Sequence, residues 1–114
     1  MSGRTRSALP KPRAEAPIFA ALGDETRLAI VTRLASGEPH SIAQLTAETE
    51  LTRQAVTKHL RVLEGARLVR SVRSGRESLF ELDPAPIRVV RDYAEVVSQQ
   101  WDDALARLKA FVEK

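Results

Sequence analysis

The sequence lacks cysteine, and it is poor in aromatic residues and in long apolar runs. Its 114 residues contain no cysteine, and phenylalanine, tryptophan and tyrosine together make up 4%. The absence of cysteine excludes disulfides, thiolate metal sites and thiol redox sensing, and it agrees with a reducing cytoplasm. No apolar stretch is long enough to predict a transmembrane helix, and the basic N-terminus lacks the apolar segment of a secretory signal. We therefore expect a cytoplasmic protein without a membrane partner.

Positive charge is concentrated in one part of the chain. The net charge is +3, but residues 53–76 carry seven basic residues against one acidic residue. Residues 1–16 carry four basic residues against one, so the remainder is acidic, with a net charge of −6. Clustered positive charge is typical of proteins that contact a phosphate backbone, although a solvated charged face is the common alternative for such a run.

The pattern of apolar and polar residues predicts two regions. Residues 1–13 are polar, basic and punctuated by proline, which predicts a disordered tail that either contacts DNA or is an unconstrained leader. Residues 14–114 form a single predicted domain. Within it, Asp24, Ser41 and Thr52 are expected to cap three successive helices, because each precedes a run of apolar residues at helical spacing. His40 is expected in an exposed loop.

The period of the apolar residues then changes from that of a helix to that of a strand. Residues 68–73 and 77–82 predict two strands, and Ser74–Arg76 predicts the tight turn of a hairpin. Pro84 and Pro86 open a last helix that continues to about Val112, a length of roughly 40 Å. The predicted fold class is mainly α (α+β), a winged helix-turn-helix with a two-stranded β-wing and a long C-terminal dimerisation helix.

The helix that begins at Thr52 has the side chains of a DNA-reading helix. An α-helix fits the major groove, where arginine pairs with guanine, glutamine pairs with adenine, and a threonine methyl contacts thymine. Thr52 is expected to act first as an N-cap and second as a phosphate contact. Five residues of this helix lie on the face away from its apolar stripe, and two arginines lie at the wing tip: Arg53, Gln54, Thr57, Lys58, Arg61, Arg73 and Arg76.

Residues 20–82 resemble the ArsR-type family of bacterial winged-helix repressors. The matching pieces are ALGDETRLAIVTRL, SIAQLTAETELTRQAVTKHLRVLEGARLV and RSGRESLFEL, and residues 57–64 resemble the recognition helix of that family. The resemblance implies a homodimer, a palindromic operator in double-stranded DNA and repression relieved by a signal, in a bacterial nucleoid. It also places His59 against DNA, with packing between helices as the alternative. The complete set of candidate DNA-binding residues is Thr52, Arg53, Gln54, Thr57, Lys58, His59, Arg61, Arg73 and Arg76.

One departure from the family concerns metal sensing. The founding members hold metals with cysteines on the first helix of the motif, or with histidine and carboxylates on the last helix. Here residues 40–46 offer only His40, and the last helix has carboxylates but no histidine. Because Zn²⁺ prefers imidazole or thiolate ligands, we expect no metal site and no cofactor. The sequence is similar to the metal-independent branch, and the inducing ligand is unknown from sequence.

Apolar residues on the last helix predict a dimer. They recur at spacings of three and four, and some lie off that stripe, so the helix needs more than one partner surface. One side is expected to pack on its own domain and the other on a second subunit, with C2 symmetry. Trp101 is expected in this packing rather than in ligand stacking. The candidate interface residues are Ile18, Phe19, Leu22, Val90, Val97, Trp101, Leu105 and Leu108.

These observations predict a sequence-specific DNA-binding transcriptional regulator that acts as a homodimeric repressor, and they do not predict an enzyme. The sequence contains no phosphate-binding glycine loop, no paired catalytic carboxylate motif and no nucleophile elbow. The alternative is a protein-interaction module that keeps the winged-helix fold but has lost specific DNA binding. Such a module should lack base-reading side chains, whereas this chain retains Arg53, Gln54 and Lys58.

Overall fold

The computed structural model describes residues 9–113. The predicted tail lies mostly outside these residues, since residues 1–8 are not described. None of the helices in the described part combines the length and apolar character that crossing a membrane requires. In chain order the elements are α1 Ala16–Leu22, α2 Glu25–Leu34, β1 His40–Ser41, α3 Ile42–Ala47, α4 Arg53–Gly65, β2 Val69–Ser74, β3 Glu77–Leu82 and α5 Pro84–Val112.

Side-chain caps fix where α2 and α4 begin, as the sequence predicts. The first backbone N–H groups of a helix have no intrahelical acceptor, so a capping oxygen satisfies one of them. The Asp24 carboxylate accepts from the backbone N–H of Arg27 at 3.0 Å. The Thr52 hydroxyl accepts from the backbone N–H of Ala55 at 3.1 Å. Both predicted N-caps are confirmed.

A two-residue turn joins β2 and β3 into the predicted hairpin. The antiparallel register pairs Val69 with Leu82 at one end and Ser74 with Glu77 at the other, which leaves two residues in the connection. Gly75 is the first of these and has a φ of 62°. This left-handed conformation costs glycine little, and tight hairpin turns require it because their twist then matches that of the strands.

The hairpin gains a third, short strand that the sequence analysis does not predict. β1 pairs antiparallel with β3, so that His40 lies opposite Phe80, and the sheet order is β1-β3-β2. His40 is buried, and its Nδ1 lies 2.8 Å from the carbonyl oxygen of Glu38. The prediction of an exposed loop for His40 is wrong. Two residues are too short for a recognisable alternating pattern, and their pairing depends on a strand that lies about 40 residues away.

The core lies between the first four helices and the base of the hairpin. Leu34, Leu60, Leu63, Leu68 and Val56 are the largest completely buried side chains. The partly buried residues Ile87, Val89 and Val90 cover this core from the first turns of α5. The rest of α5 leaves the domain, so that its large apolar side chains beyond Tyr93 are mostly exposed.

A capping box starts α3 and joins it to β1. The Ser41 hydroxyl accepts from the backbone N–H of Gln44 at 3.1 Å, and the Gln44 side-chain oxygen accepts from the backbone N–H of Ser41 at 2.8 Å. Two otherwise unpaired N–H groups are therefore satisfied reciprocally.

Replacing this cap should destabilise the domain measurably. We expect Ser41→Ala to lower the free energy of unfolding by about 1 kcal/mol, since one N–H group loses its acceptor. Ser41→Thr keeps a hydroxyl and should restore most of the loss. Ser36→Ala, at an exposed position, serves as the control and should change stability by less than about 0.5 kcal/mol. Urea unfolding of the four proteins measures the difference, and an unchanged midpoint for Ser41→Ala would contradict the prediction.

Candidate nucleic-acid interface

α4 divides its residues between a buried face and a charged face. Val56, Leu60 and Leu63 recur at spacings of four and three and are buried. At about 100° per residue, the positions two before, one after, two after and five after Val56 turn away from that stripe. The residues on the outer face are Arg53, Gln54, Thr57, Lys58 and Arg61, of which Thr57 is half-buried and the other four are exposed.

The basic side chains of this outer face are not engaged in ion pairs. Within the described part of the chain, no acidic group lies within ion-pair distance of Arg53, Lys58 or Arg61. An unpaired surface cation keeps its full charge for an external partner. Arginine and lysine on one face of an exposed helix therefore present positive charge and hydrogen-bond donors to whatever docks there.

Backbone N–H groups in the first turn of α4 add to the hydrogen-bond donors that these side chains provide. The N-terminus of a helix carries unsatisfied N–H groups and a partial positive charge, which together favour a phosphate. The Thr52 hydroxyl is used as the cap, as described above. The Thr57 hydroxyl donates to the carbonyl oxygen of Arg53 at 2.7 Å, so its hydrogen is engaged within the helix and its methyl group remains for apolar contact.

The hairpin carries its arginines on opposite faces. Arg70 and Arg73 are three residues apart in β2, and side chains in a strand alternate between faces. The Arg70 guanidinium lies 2.9 Å from a Glu81 carboxylate oxygen and 3.8 Å from one of Asp83. Among the described residues Arg73 and Arg76 have no such partner. The exposed positive charge of the hairpin is thus concentrated at Arg73 and Arg76.

His59 lies in a network that joins α4 to α2. Its side chain is 23% exposed, with Nδ1 3.3 Å from Arg27 Nη1 and 3.8 Å from Asp24 Oδ2. Arg27 Nε also donates to the carbonyl oxygen of Ala21 at 2.7 Å. Because a guanidinium only donates, Nδ1 is the acceptor and the ring hydrogen of neutral His59 resides on Nε2. His59 therefore packs between helices, which was the alternative to DNA contact in the sequence analysis. Its Nε2–H group is still available to donate to a phosphate.

This network also changes the acidity of Asp24. The hydrogen bond from the backbone N–H of Arg27 lowers the pKa of the Asp24 carboxyl below its ordinary value of 3.8. The positive charge of Arg27 acts in the same direction, as does that of His59 when its ring is protonated, while desolvation opposes them. The carboxylate form is therefore favoured in the folded protein, because it is the form that caps α2.

We expect the acid sensitivity of folding to depend on Asp24. A pKa that is lower in the folded state stabilises the fold above about pH 3.8, and this contribution is lost as the pH falls through the folded-state pKa. The non-titrating caps Asp24→Asn and Asp24→Ser should therefore lose less stability than wild type between neutral pH and pH 3. Denaturant unfolding across this range measures the difference. Parallel pH profiles for the three proteins would contradict the expectation.

The structure separates the predicted interface residues into two groups. Ile18 is 8% exposed within its own protomer, so it offers little surface to a second subunit, and Leu22 and Val90 are half-buried against the same core. Phe19 packs edge-on against Tyr93 of α5, with 5.8 Å between ring centroids. The remaining four lie beyond the core on α5, where Val97 is half-buried and three are exposed: Trp101, Leu105 and Leu108.

Sequence reasoning missed three residues with a place in these surfaces. Arg27 holds His59, and no local pattern predicts a contact across 32 positions. Phe111 and Val112 are exposed and extend the apolar face of α5 toward its end. The spacing of three from Leu108 to Phe111 continues the heptad pattern and could have identified Phe111.

Across residues 9–113, no group of three or more histidine or acidic side chains is arranged to hold a metal ion.

Comparison with known proteins agrees with this geometry. A family model described as a helix-turn-helix domain matches residues 22–72, from the end of α1 to the middle of β2. The HTH-type transcriptional regulator Rv2034 of Mycobacterium tuberculosis is 36% identical over 95 residues, which cover 73% of this chain and 88% of that protein. This relative is a transcriptional regulator of the helix-turn-helix type.

Solved structures extend the likeness to nearly the whole chain. An ArsR-like transcriptional regulator from Rhodococcus sp. RHA1 is 36% identical, with a TM-score of 0.78, over 89% of this chain and 92% of that one. A winged helix-turn-helix DNA-binding domain from Mycobacterium bovis, described as homodimeric, shares the fold at 20% identity, with a TM-score of 0.61 over 82% of this chain and 91% of that domain. The chain therefore belongs to the ArsR family of winged helix-turn-helix regulators, and it is a DNA-binding transcriptional regulator rather than an enzyme.

Proposed function

We propose that the protein is a homodimeric repressor that recognises a palindromic operator in the bacterial nucleoid. The observation that carries the proposal is the outer face of α4, where unpaired basic side chains surround the exposed amide of Gln54. In the proposed complex the first half of α4 enters the major groove. Arg53, Gln54 and Lys58 read base edges, whereas Arg61 contacts a phosphate.

In this proposal the wing, which is the hairpin of β2 and β3, contributes more to affinity than to sequence specificity. Arg73 lies just before the two-residue turn and Arg76 lies in it, and an arginine in such a position suits the minor groove or its phosphates. Contacts to phosphates do not depend on the base sequence, so they strengthen binding to every duplex and make it sensitive to salt.

A second copy of the chain is the proposed partner of α5. Five large apolar side chains on its last turns are exposed in the protomer: Trp101, Leu105, Leu108, Phe111 and Val112. Isolated apolar residues are common on surfaces, but a continuous stripe of this length marks an interface. A C2 dimer through α5 and α1 would place two copies of α4 about 34 Å apart, one turn of DNA. The Mycobacterium bovis domain of the same fold is described as homodimeric.

Repression follows in this proposal from occupancy of a promoter. A bound dimer covers about one helical turn between its recognition helices, which excludes polymerase from the same DNA.

The experiment that tests recognition is the selection of bound sequences from random duplex DNA at two salt concentrations. A palindrome with half-sites one turn apart supports the proposal, whereas salt-sensitive binding without an enriched motif contradicts sequence-specific recognition.

Base reading and phosphate contact should separate in mutants. We expect Arg53→Ala and Gln54→Ala each to cost about 1–3 kcal/mol on the selected operator and to relax the preference for one base pair. Arg73→Ala and Arg76→Ala should weaken binding to all duplexes alike and reduce its salt dependence. Fluorescence anisotropy with the operator and with single-base variants measures both effects.

Arg70→Ala is the matched control for the wing variants. It removes the same charge from the same hairpin, but the Arg70 guanidinium is already paired with Glu81 and Asp83. We expect its affinity for the operator to stay within about twofold of wild type, since its charge is largely compensated. A change of base preference in the wing variants, or an effect of Arg70→Ala equal to that of Arg73→Ala, would contradict the assignment.

The dimer interface is tested by placing a charge on the apolar stripe of α5. We expect Leu108→Glu to weaken dimerisation at least tenfold, because a carboxylate would be desolvated between the subunits. Ala106→Glu is the control, because it adds the same charge to α5 at an exposed position about 200° around the helix axis from Leu108. We expect this variant to remain dimeric. Analytical ultracentrifugation measures whether the mass is 12.6 kDa or twice that value. Equal effects of the two substitutions would contradict the proposed interface.

A further inference from the structure

An open groove lies between α2 and the turn that joins α3 to α4. It encloses about 300 Å³, at the lower end of the range of about 300–1,000 Å³ for small-molecule sites. Apolar atoms of Ala29, Ile30, Leu45 and Leu51 contribute to its lining. None of the residues proposed to contact DNA or a second subunit lines this groove, so the proposed function leaves it without an occupant.

The polar rim of the groove is acidic. Three glutamates and one arginine line it, and the Arg33 guanidinium lies 2.8 Å from a Glu48 carboxylate oxygen. This pair leaves Glu25 and Glu50, which have no ion-pair partner in the part of the chain that the structure describes. The groove therefore combines an apolar lining with a net charge of about −2, since the paired residues compensate each other.

We propose that this groove binds a small organic ammonium compound whose apolar body fits its volume. The body would cover Ala29 and Leu51, which lose exposed apolar surface on binding, and it would lie against Ile30 and Leu45, which are already buried in the core. The ammonium group would lie at the rim, where Glu25 and Glu50 favour a cation and disfavour an anion. Charge complementarity distinguishes this ligand class from a neutral compound of the same shape.

The position of the groove gives such a ligand access to the start of α4. Residues 48–51 belong to the turn that forms one wall of the groove, and Thr52 caps α4 immediately afterwards. The turn is held by a hydrogen bond from the backbone N–H of Leu51 to the Thr49 hydroxyl at 3.0 Å. A ligand that contacts both α2 and this turn binds where the placement of α4 is determined. A role as the inducing signal rests on the proposed function, whereas binding itself does not.

Three compounds of nearly equal shape test the binding. The isotope-labelled full chain is titrated with naphthylmethylamine, naphthylmethanol and naphthoate, and amide shifts are followed by NMR. We expect saturable shifts in α2 and in residues 48–51 with the amine, binding about fivefold weaker for the alcohol, and no saturation with naphthoate. Equal affinity for the three compounds, or shifts confined to other regions, would overturn the proposal.

Variants test the roles of the rim and the lining separately. The double variant Glu25→Gln with Glu50→Gln alters two exposed side chains and should remove the preference for the amine over the alcohol. Glu95→Gln, an exposed position on α5 outside the groove, is the control and should keep that preference. Ala29→Leu fills part of the groove from an exposed helix position and should weaken the amine and the alcohol about tenfold. An unchanged amine preference in the double variant, or unchanged binding to Ala29→Leu, would contradict the assigned site.

Discussion

The division of α4 into a buried face and an uncompensated cationic face constrains the rest of the domain. Val56, Leu60 and Leu63 hold the helix against the core, so the opposite face can carry long basic side chains without losing its position. Among the described residues no acidic group pairs with this cationic face, and Glu81 and Asp83 pair with Arg70 instead. An ion pair of this kind on the cationic face of α4 would have reduced the charge available for DNA binding, since paired surface ions attract phosphates weakly.

Local interactions were predictable from the sequence, and contacts between distant segments were not. The caps at Asp24, Ser41 and Thr52 depend on residues within three positions of each other, so their patterns are visible in a short window. β1 is stabilised by pairing with β3, and nothing within residues 40–41 encodes that pairing. The two regular patterns, helical spacing in α4 and alternation in the hairpin, predicted the elements that carry the candidate DNA contacts.

The contact between Arg27 and His59 shows why a recognition motif holds more than its exposed residues. The guanidinium joins the end of α1, the start of α2 and the middle of α4, through the carbonyl oxygen of Ala21 and the ring of His59. These three elements must keep a fixed relation if the first turn of α4 is to meet base edges, because a misplaced helix loses the geometry of bidentate pairing. His59 therefore contributes to positioning whether or not its Nε2–H meets a phosphate.

The length of α5 follows from how little core a chain of this size can build. Small domains bury a low fraction of their surface, and here the buried cluster ends near the first turns of α5. The remaining turns extend apolar residues such as Trp101, which is 65% exposed, into a region where this protomer has nothing to cover them. A partner on that face would stabilise the fold and fix the distance between two copies of α4 at the same time. The separation of half-sites in an operator would then depend on how two α5 helices pack, through residues that never contact DNA.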